Sequence, residues 1–188
     1  MPGDYETIDE RQRYVQQSGR DWEDFVMEKV NSDLDATESS LKVIRGDDVP
    51  KDSTLWNKLA IPVGEPSSTQ KIWGDVDLVV VDELEQPLAV ISCKTSLHGR
   101  LSETLFYAKV LRDLVPGLKI VFATSDKGRQ QKKTWSSEWG SADKPTKDRL
   151  LGSHYLDGVY ILNDGTKLGG IIKSLDELAG DLVDWTLE

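Results

Sequence analysis

Three residues in the middle of the chain have the types and spacing of a hydrolytic metal site. Asp77 heads the apolar run DLVVVDE, Lys94 ends the run LAVISCK, and Glu103 follows Lys94 with eight residues between. A lysine at the end of a buried strand must find a counter-charge, lose its proton or do chemistry, because a bare ammonium is costly to remove from water. Two carboxylates brought together repel unless a cation sits between them. A pair of hard oxygen ligands suits Mg²⁺, with waters and a substrate phosphate completing its shell. A lysine beside such an ion can orient a water or help deprotonate it. Asp75, two residues before Asp77, competes for the same role; Asp77 directly abuts the apolar run.

These residues need particular elements to bring them together. The β-branched runs at 77–83 and 88–92 flank the turn ELEQP, which predicts an antiparallel hairpin. A hairpin sets Asp77 beside the Ser92–Lys94 end of its partner. Strand side chains alternate, so Ser92 and Lys94 share a face and the Cys93 thiol points the other way, into the core. Residues 100–115 form a helix with a stripe of Leu101, Leu105, Ala108, Leu111 and Val115. The short turn SLHGR could fold that helix back so that Glu103 meets Asp77 and Lys94.

Elsewhere the pattern continues in the same alternation. Thr7 and Glu10 have capping-box spacing and open a first helix. A second helix carries Trp22, Phe25, Val26, Val30 and Leu34 on one face. LKVIRGDDVP reads as a short strand and turn, and 51–71 favours no element. The run 118–125 is apolar enough for an internal strand. Residues 157–164 read as another strand, and Ser174 with Glu177 opens a terminal helix. The fold class is α/β, a mixed central β-sheet flanked by helices. One domain over 1–188 is expected, with a helical N-terminal part (1–50), a core (72–165) and a C-terminal helix (174–186).

The chain of 188 residues carries a net charge of −10, which argues against a uniformly basic nucleic-acid binder. The charge is uneven, however. Residues 127–149 sum to +4 and the remainder to −14. Lys127, Arg129, Lys132 and Lys133 suit phosphate contacts, with a solvated loop as the competing reading. Trp135 and Trp139 interleave with them and are read as packing under the loop. One cysteine and two histidines argue against a structural zinc site. His154 is read as structural. No apolar run reaches bilayer length and the acidic start is unlike a secretory signal, so an intracellular setting is expected.

Asp77, Ser92, Cys93 and Lys94, in the pattern D-x14-S-C-K, resemble the PD-(D/E)xK nuclease signature with its middle acid replaced by Ser92. Some type II restriction endonucleases of the group cutting CCGG and CCWGG-like sites show the same departure, with the acid supplied by the next helix. The stretch ISCKTSLHGRLSETLF is similar to the BsaWI-like members, as are ATSDKG, EWGSADKPTKDRLL and LDGVYILND. The resemblance covers roughly residues 73–165 and implies a restriction-endonuclease-like core.

The resemblance also implies function. It implies Mg²⁺-dependent, sequence-specific cutting of double-stranded DNA with 5′-phosphate products, in a prokaryotic, cytoplasmic, nucleoid-associated setting. Asp77 and Glu103, with a backbone carbonyl near Cys93, would hold the ion. Lys94 would position water, and Ser92 would be a vestige of the acid position. His98 and Arg100 would read bases, arginine suiting guanine edges. Glu23 resembles a first-helix acid that some members use for a second metal, against a solvated helix face. A palindromic site favours a homodimer, with a monomer as the alternative. Two other readings stay open at this point: a structure-specific repair or junction-resolving nuclease, and a non-catalytic DNA-binding module.

Overall fold

A computed structural model describes residues 8–97, 100–126, 129–131, 134–162 and 168–187. The chain opens with one helix, α1 (Ile8–Ala36), rather than the two expected. No proline interrupts the sequence between the two segments, and Gly19 costs a helix interior only about 1 kcal/mol. Trp22, Val26, Val30 and Leu34 of α1 are buried, as their spacing predicts. Phe25 is the exception: it is exposed and stacks on Trp22 with ring centroids 5.5 Å apart.

The sheet follows. Strand β1 (Lys42–Arg45) leads to helix α2 (Thr54–Leu59), capped by Ser53. A two-stranded ribbon, β2 (Ile61–Pro62) and β3 (Lys71–Ile72), fills the stretch for which the sequence favours no element. Then come β4 (Leu78–Val81), β5 (Pro87–Lys94), α3 (Arg100–Leu114) and β6 (Lys119–Thr124). A small ribbon, β7 (Arg129–Gln131) with β8 (Thr134–Ser136), precedes α4 (Lys147–Tyr155). Strands β9 (Gly158–Ile161) and β10 (Ile172–Ser174) complete the sheet. The Ser174–Glu177 capping box is present, and a 3₁₀ turn leads into α5 (Leu178–Trp185).

The six strands lie in the order β1-β4-β5-β6-β9-β10. β4 runs antiparallel to both of its neighbours, β1 and β5, and the last four strands are parallel, so β5 belongs to both regimes. The expected hairpin is therefore β4–β5, and β6 is internal. Helices cover both faces, which explains why the central strands are apolar on both sides. Leu78, Val80, Ile91 and Cys93 pack with α1 and α5, while Val79, Val81, Val90 and Phe122 pack with α2 and α3. Among the described residues no helix is long and apolar enough to cross a membrane.

Candidate active site

The antiparallel register of β4 and β5 builds the site. Leu78 pairs with Ile91, so the residue before β4 lies beside the C-terminal end of β5. Asp77 Oδ2 accepts the Cys93 amide at 2.7 Å and Lys94 Nζ at 2.9 Å. Asp75 also reaches the lysine, Oδ1 at 3.2 Å and Oδ2 at 2.9 Å. Both candidate aspartates thus hold Lys94. Asp77 is the more buried, and it alone is tied to the β5 backbone.

A pocket opens beside this pair, lined by Asp75, Asp77 and Gly74 from the entrance to β4, Arg45 and Asp47 from the exit of β1, and Glu23 from α1. Arg45 Nη1 lies 3.4 Å from Glu23 Oε2, and its other nitrogen pairs with Asp24. Four carboxylates face two cations, Arg45 and Lys94, leaving an excess of negative charge.

The electrostatics register that excess. Burial raises the Glu23 carboxyl above its ordinary range and the Asp77 charge adds to the shift, while Arg45 and Lys94 oppose it. Burial likewise raises Asp77, against the pull of Lys94. Lys94 feels burial pulling its pKa down, but its contacts with Asp77 and Asp75 outweigh that and hold it above the ordinary lysine range. Lys94 is thereby kept as a cation.

Other sequence-designated residues fall elsewhere. Glu103 stands in the first turn of α3 with its side chain exposed, and it is absent from the pocket lining. Its neighbour Thr104 is the residue α3 turns inward. Thr104 is buried and hydrogen-bonds Ser92 across 3.0 Å, so the Ser92 hydroxyl is engaged with α3. The turn after β5 thus lays α3 against the sheet with Thr104 turned inward and Glu103 exposed. The Cys93 thiol is buried under α1, and burial pushes its pKa well up. Only the Cys93 backbone borders the site.

Arg100 is exposed at the start of α3. His98, Lys127, Lys132 and Lys133 lie outside the described residues, as do the side chains of Arg129 and Trp135. Trp139 is fully buried and packs edge-on against Phe122. His154 sits edge-on to Tyr155.

Glu23, which the sequence leaves between a metal-binding acid and a solvated helix face, lines this pocket, and so does Arg45, which its sequence context did not single out. Glu23 follows Trp22 at the margin of the buried stripe, where a side chain can reach over the sheet edge. Arg45 closes an apolar strand just before Gly46, as Lys94 closes β5. That shared pattern, a cation at a strand end, was the available signal.

The donor set suits a hard divalent ion. Among the described residues no group of three or more His, Cys, Asp or Glu side chains is gathered tightly enough to chelate a metal alone. Mg²⁺ does not require one, since it is bound through one or two carboxylates plus waters and substrate phosphate. Carboxyls raised by burial and by their like-charged neighbours are the mark of a site short of positive charge.

The sequence matches the family of BsaWI restriction endonucleases, type 2, over residues 51–180. The chain belongs to this family. It is accordingly a type II restriction endonuclease, a DNA endonuclease by class. Two solved members of this fold superimpose on nearly the whole chain. The crystal structure of the specific restriction endonuclease AgeI–DNA complex aligns with a TM-score of 0.68 at 18% identity, covering 97% of this chain and 72% of that one. The pre-specific BsaWI–DNA complex aligns with a TM-score of 0.55 at 14% identity, covering 95% and 66% respectively. At such identities the likeness is one of fold. No curated protein sequence matches the chain. The acidic pocket of this BsaWI-family chain lies where β1 ends and β4 begins, beneath α1.

Proposed function

We propose that the chain hydrolyses phosphodiester bonds of double-stranded DNA at a discrete sequence, with Mg²⁺ as its ion and 5′-phosphate ends as product. The observation that carries this reading is the convergence of Asp77, Asp75 and Lys94 beside the Glu23 pocket, within a chain of restriction-endonuclease family.

Asp77 and Glu23 would hold the ion, with the Cys93 backbone carbonyl as a further oxygen ligand at this border. The ion, when bound, would supply Lewis-acid stabilisation of charge developing on the phosphoryl group and the leaving 3′ oxygen. Asp77 itself is oriented by the Cys93 amide, so its free oxygen is presented at a fixed angle. Lys94, kept protonated at Nζ by the two aspartates, donates hydrogen bonds rather than accepting a proton. Its role is to orient the attacking water or a phosphoryl oxygen. Asp75 holds the ammonium from the other side and limits its rotamers. Arg45 offsets part of the negative charge that would repel a phosphate entering the pocket. Arg100 and the basic segment around Arg129 would grip DNA, chiefly through phosphates.

The test is digestion of a bacteriophage genomic DNA in Mg²⁺, followed by ligation of the products without prior kinase treatment. Discrete fragments that ligate directly are expected. A smear, or cutting confined to branched substrates, would replace sequence-specific cleavage with a non-specific or junction-resolving activity.

A further inference from the structure

Two carboxylates lie wholly inside the protein, away from the acidic pocket: Asp126 is 0% exposed and Glu138 is 1%. Both sit where the β7–β8 ribbon is mounted. The ribbon lies between Asp126 and Ser137 in the chain, and its base is the pair Arg129 and Ser136. Asp126 closes that base. Its Oδ2 accepts the Ser137 hydroxyl at 2.6 Å and its Oδ1 accepts the Glu138 amide at 3.1 Å. Asp126 has a positive φ of 41°, which side chains other than Gly, Asn and Asp adopt at a cost.

Glu138 carries the connection onward. Its Oε2 accepts the Leu97 amide at 2.8 Å. Leu97 is buried three residues after Lys94, and its carbonyl accepts the Arg100 amide that opens α3. A second tie joins the same two loops: the Ser125 hydroxyl donates to the Thr95 carbonyl at 3.1 Å. Behind them, the Glu138 carbonyl accepts the hydroxyl of Thr146, the N-cap of α4. Packing alone is better served by apolar residues than by buried carboxylates, which must be compensated by hydrogen bonds. The arrangement therefore calls for another reason.

We infer that Asp126 and Glu138 are positioning residues that fix the base of the β7–β8 ribbon to the turn following Lys94. The ribbon's grip on DNA and the placement of the catalytic lysine then move as one unit. Neither carboxylate touches substrate. Glu138 acts through Leu97 on the turn between Lys94 and Arg100, and Asp126 acts by setting the amide and backbone of Glu138. This assignment rests on the nuclease reading above.

The test compares Glu138→Ala, Glu138→Gln and Glu138→Asp in the full chain. Three quantities are read: single-turnover DNA cleavage at saturating protein, thermal unfolding, and hydrogen exchange of the amides from Leu97 onward. Glutamine retains an acceptor oxygen at the right reach. Alanine removes it, and aspartate withdraws it by one methylene while keeping the charge. Glu138→Ala should slow cleavage at saturation by about tenfold or more and speed exchange at Leu97. Glu138→Gln should restore most of both. A folded Glu138→Ala protein that cuts at the wild-type rate, or that protects Leu97 as well as wild type, overturns the assignment. Should the alanine variant not fold, the order of the other two decides: Gln faster than Asp supports positioning through the acceptor, and the reverse overturns it. Wild-type protein that leaves DNA intact is a different result; it removes the nuclease reading and the coupling with it.

Discussion

Lys94 Nζ meets Asp77 Oδ2 at 2.9 Å across the β4–β5 pair, with both side chains nearly out of solvent. Each charge is tolerated there because of the other. Removing one partner of such a buried pair typically costs 3–5 kcal/mol, since it strands the remaining charge. Lys94→Met should therefore destabilise the metal-free protein by about 3 kcal/mol in urea unfolding. Adding Asp77→Asn should recover part of that loss, and strictly additive losses would contradict the pairing. The sign with pH follows from the raised lysine. Its contribution is complete below the ordinary lysine range and fades as pH rises through the elevated folded-state value.

Glu23 and Glu103 make opposite predictions. Glu23 lines the pocket, whereas Glu103 is exposed on α3. Glu23→Gln should lower cleavage about a hundredfold and raise the Mg²⁺ concentration needed for half-maximal rate. Glu103→Gln should stay within about threefold of wild type, as surface substitutions generally do. A Glu103→Gln protein that no longer cuts would return the ion to the α3 acid.

The hairpin was legible because β4 and β5 are apolar, β-branched and joined by a polar turn, and that alone fixes Asp77 beside Lys94. The sheet's internal strand β6 and the Ser174 cap were legible for similarly local reasons. The outward setting of Glu103 was not. A turn of only a few residues joins β5 to α3, and the rotation of that helix about its axis is set by tertiary packing. Thr104 wins the inward position by bonding Ser92, which turns Glu103 outward. Glu23 was obscured by a different cause. It is distant in sequence and reaches the site only because α1 crosses the edge where β1 ends and β4 begins.

Gly46 is a further point at which backbone approach governs the site. A Cβ there would stand 1.8 Å from the Val76 carbonyl oxygen, and the Gly46 amide donates to the Asp77 carbonyl at 2.8 Å. Gly46→Ala must push the segment carrying Asp75 and Asp77 away from β1. A loss of about 3 kcal/mol in unfolding free energy is expected. Cleavage by the fraction that remains folded should fall as well, because Asp77 is displaced. Wild-type activity and stability in this variant would contradict the close approach.

Acidification should weaken ion binding early. The Glu23 and Asp77 carboxyls are raised by burial, so they take up protons at a higher pH than free carboxylates do, and a protonated carboxyl is a poor ligand. Calorimetric Mg²⁺ titration in the presence of DNA carrying non-hydrolysable linkages should show affinity declining above the ordinary carboxylate range. Arg45→Met removes a cation that lowers Glu23, so it should move this decline to still higher pH. Unchanged affinity through the same interval would mean that neither carboxyl contacts the ion.

The most direct measurement of the central claim is plasmid cleavage by wild type and by Asp77→Asn, each in Mg²⁺ and in EDTA, with DNA binding measured in parallel in Ca²⁺. A metal site built on Asp77 gives cutting by the wild-type protein in Mg²⁺ alone, and an Asp77→Asn variant that binds DNA but does not cut. Equal cutting by both proteins, or cutting by wild type in EDTA, would contradict it.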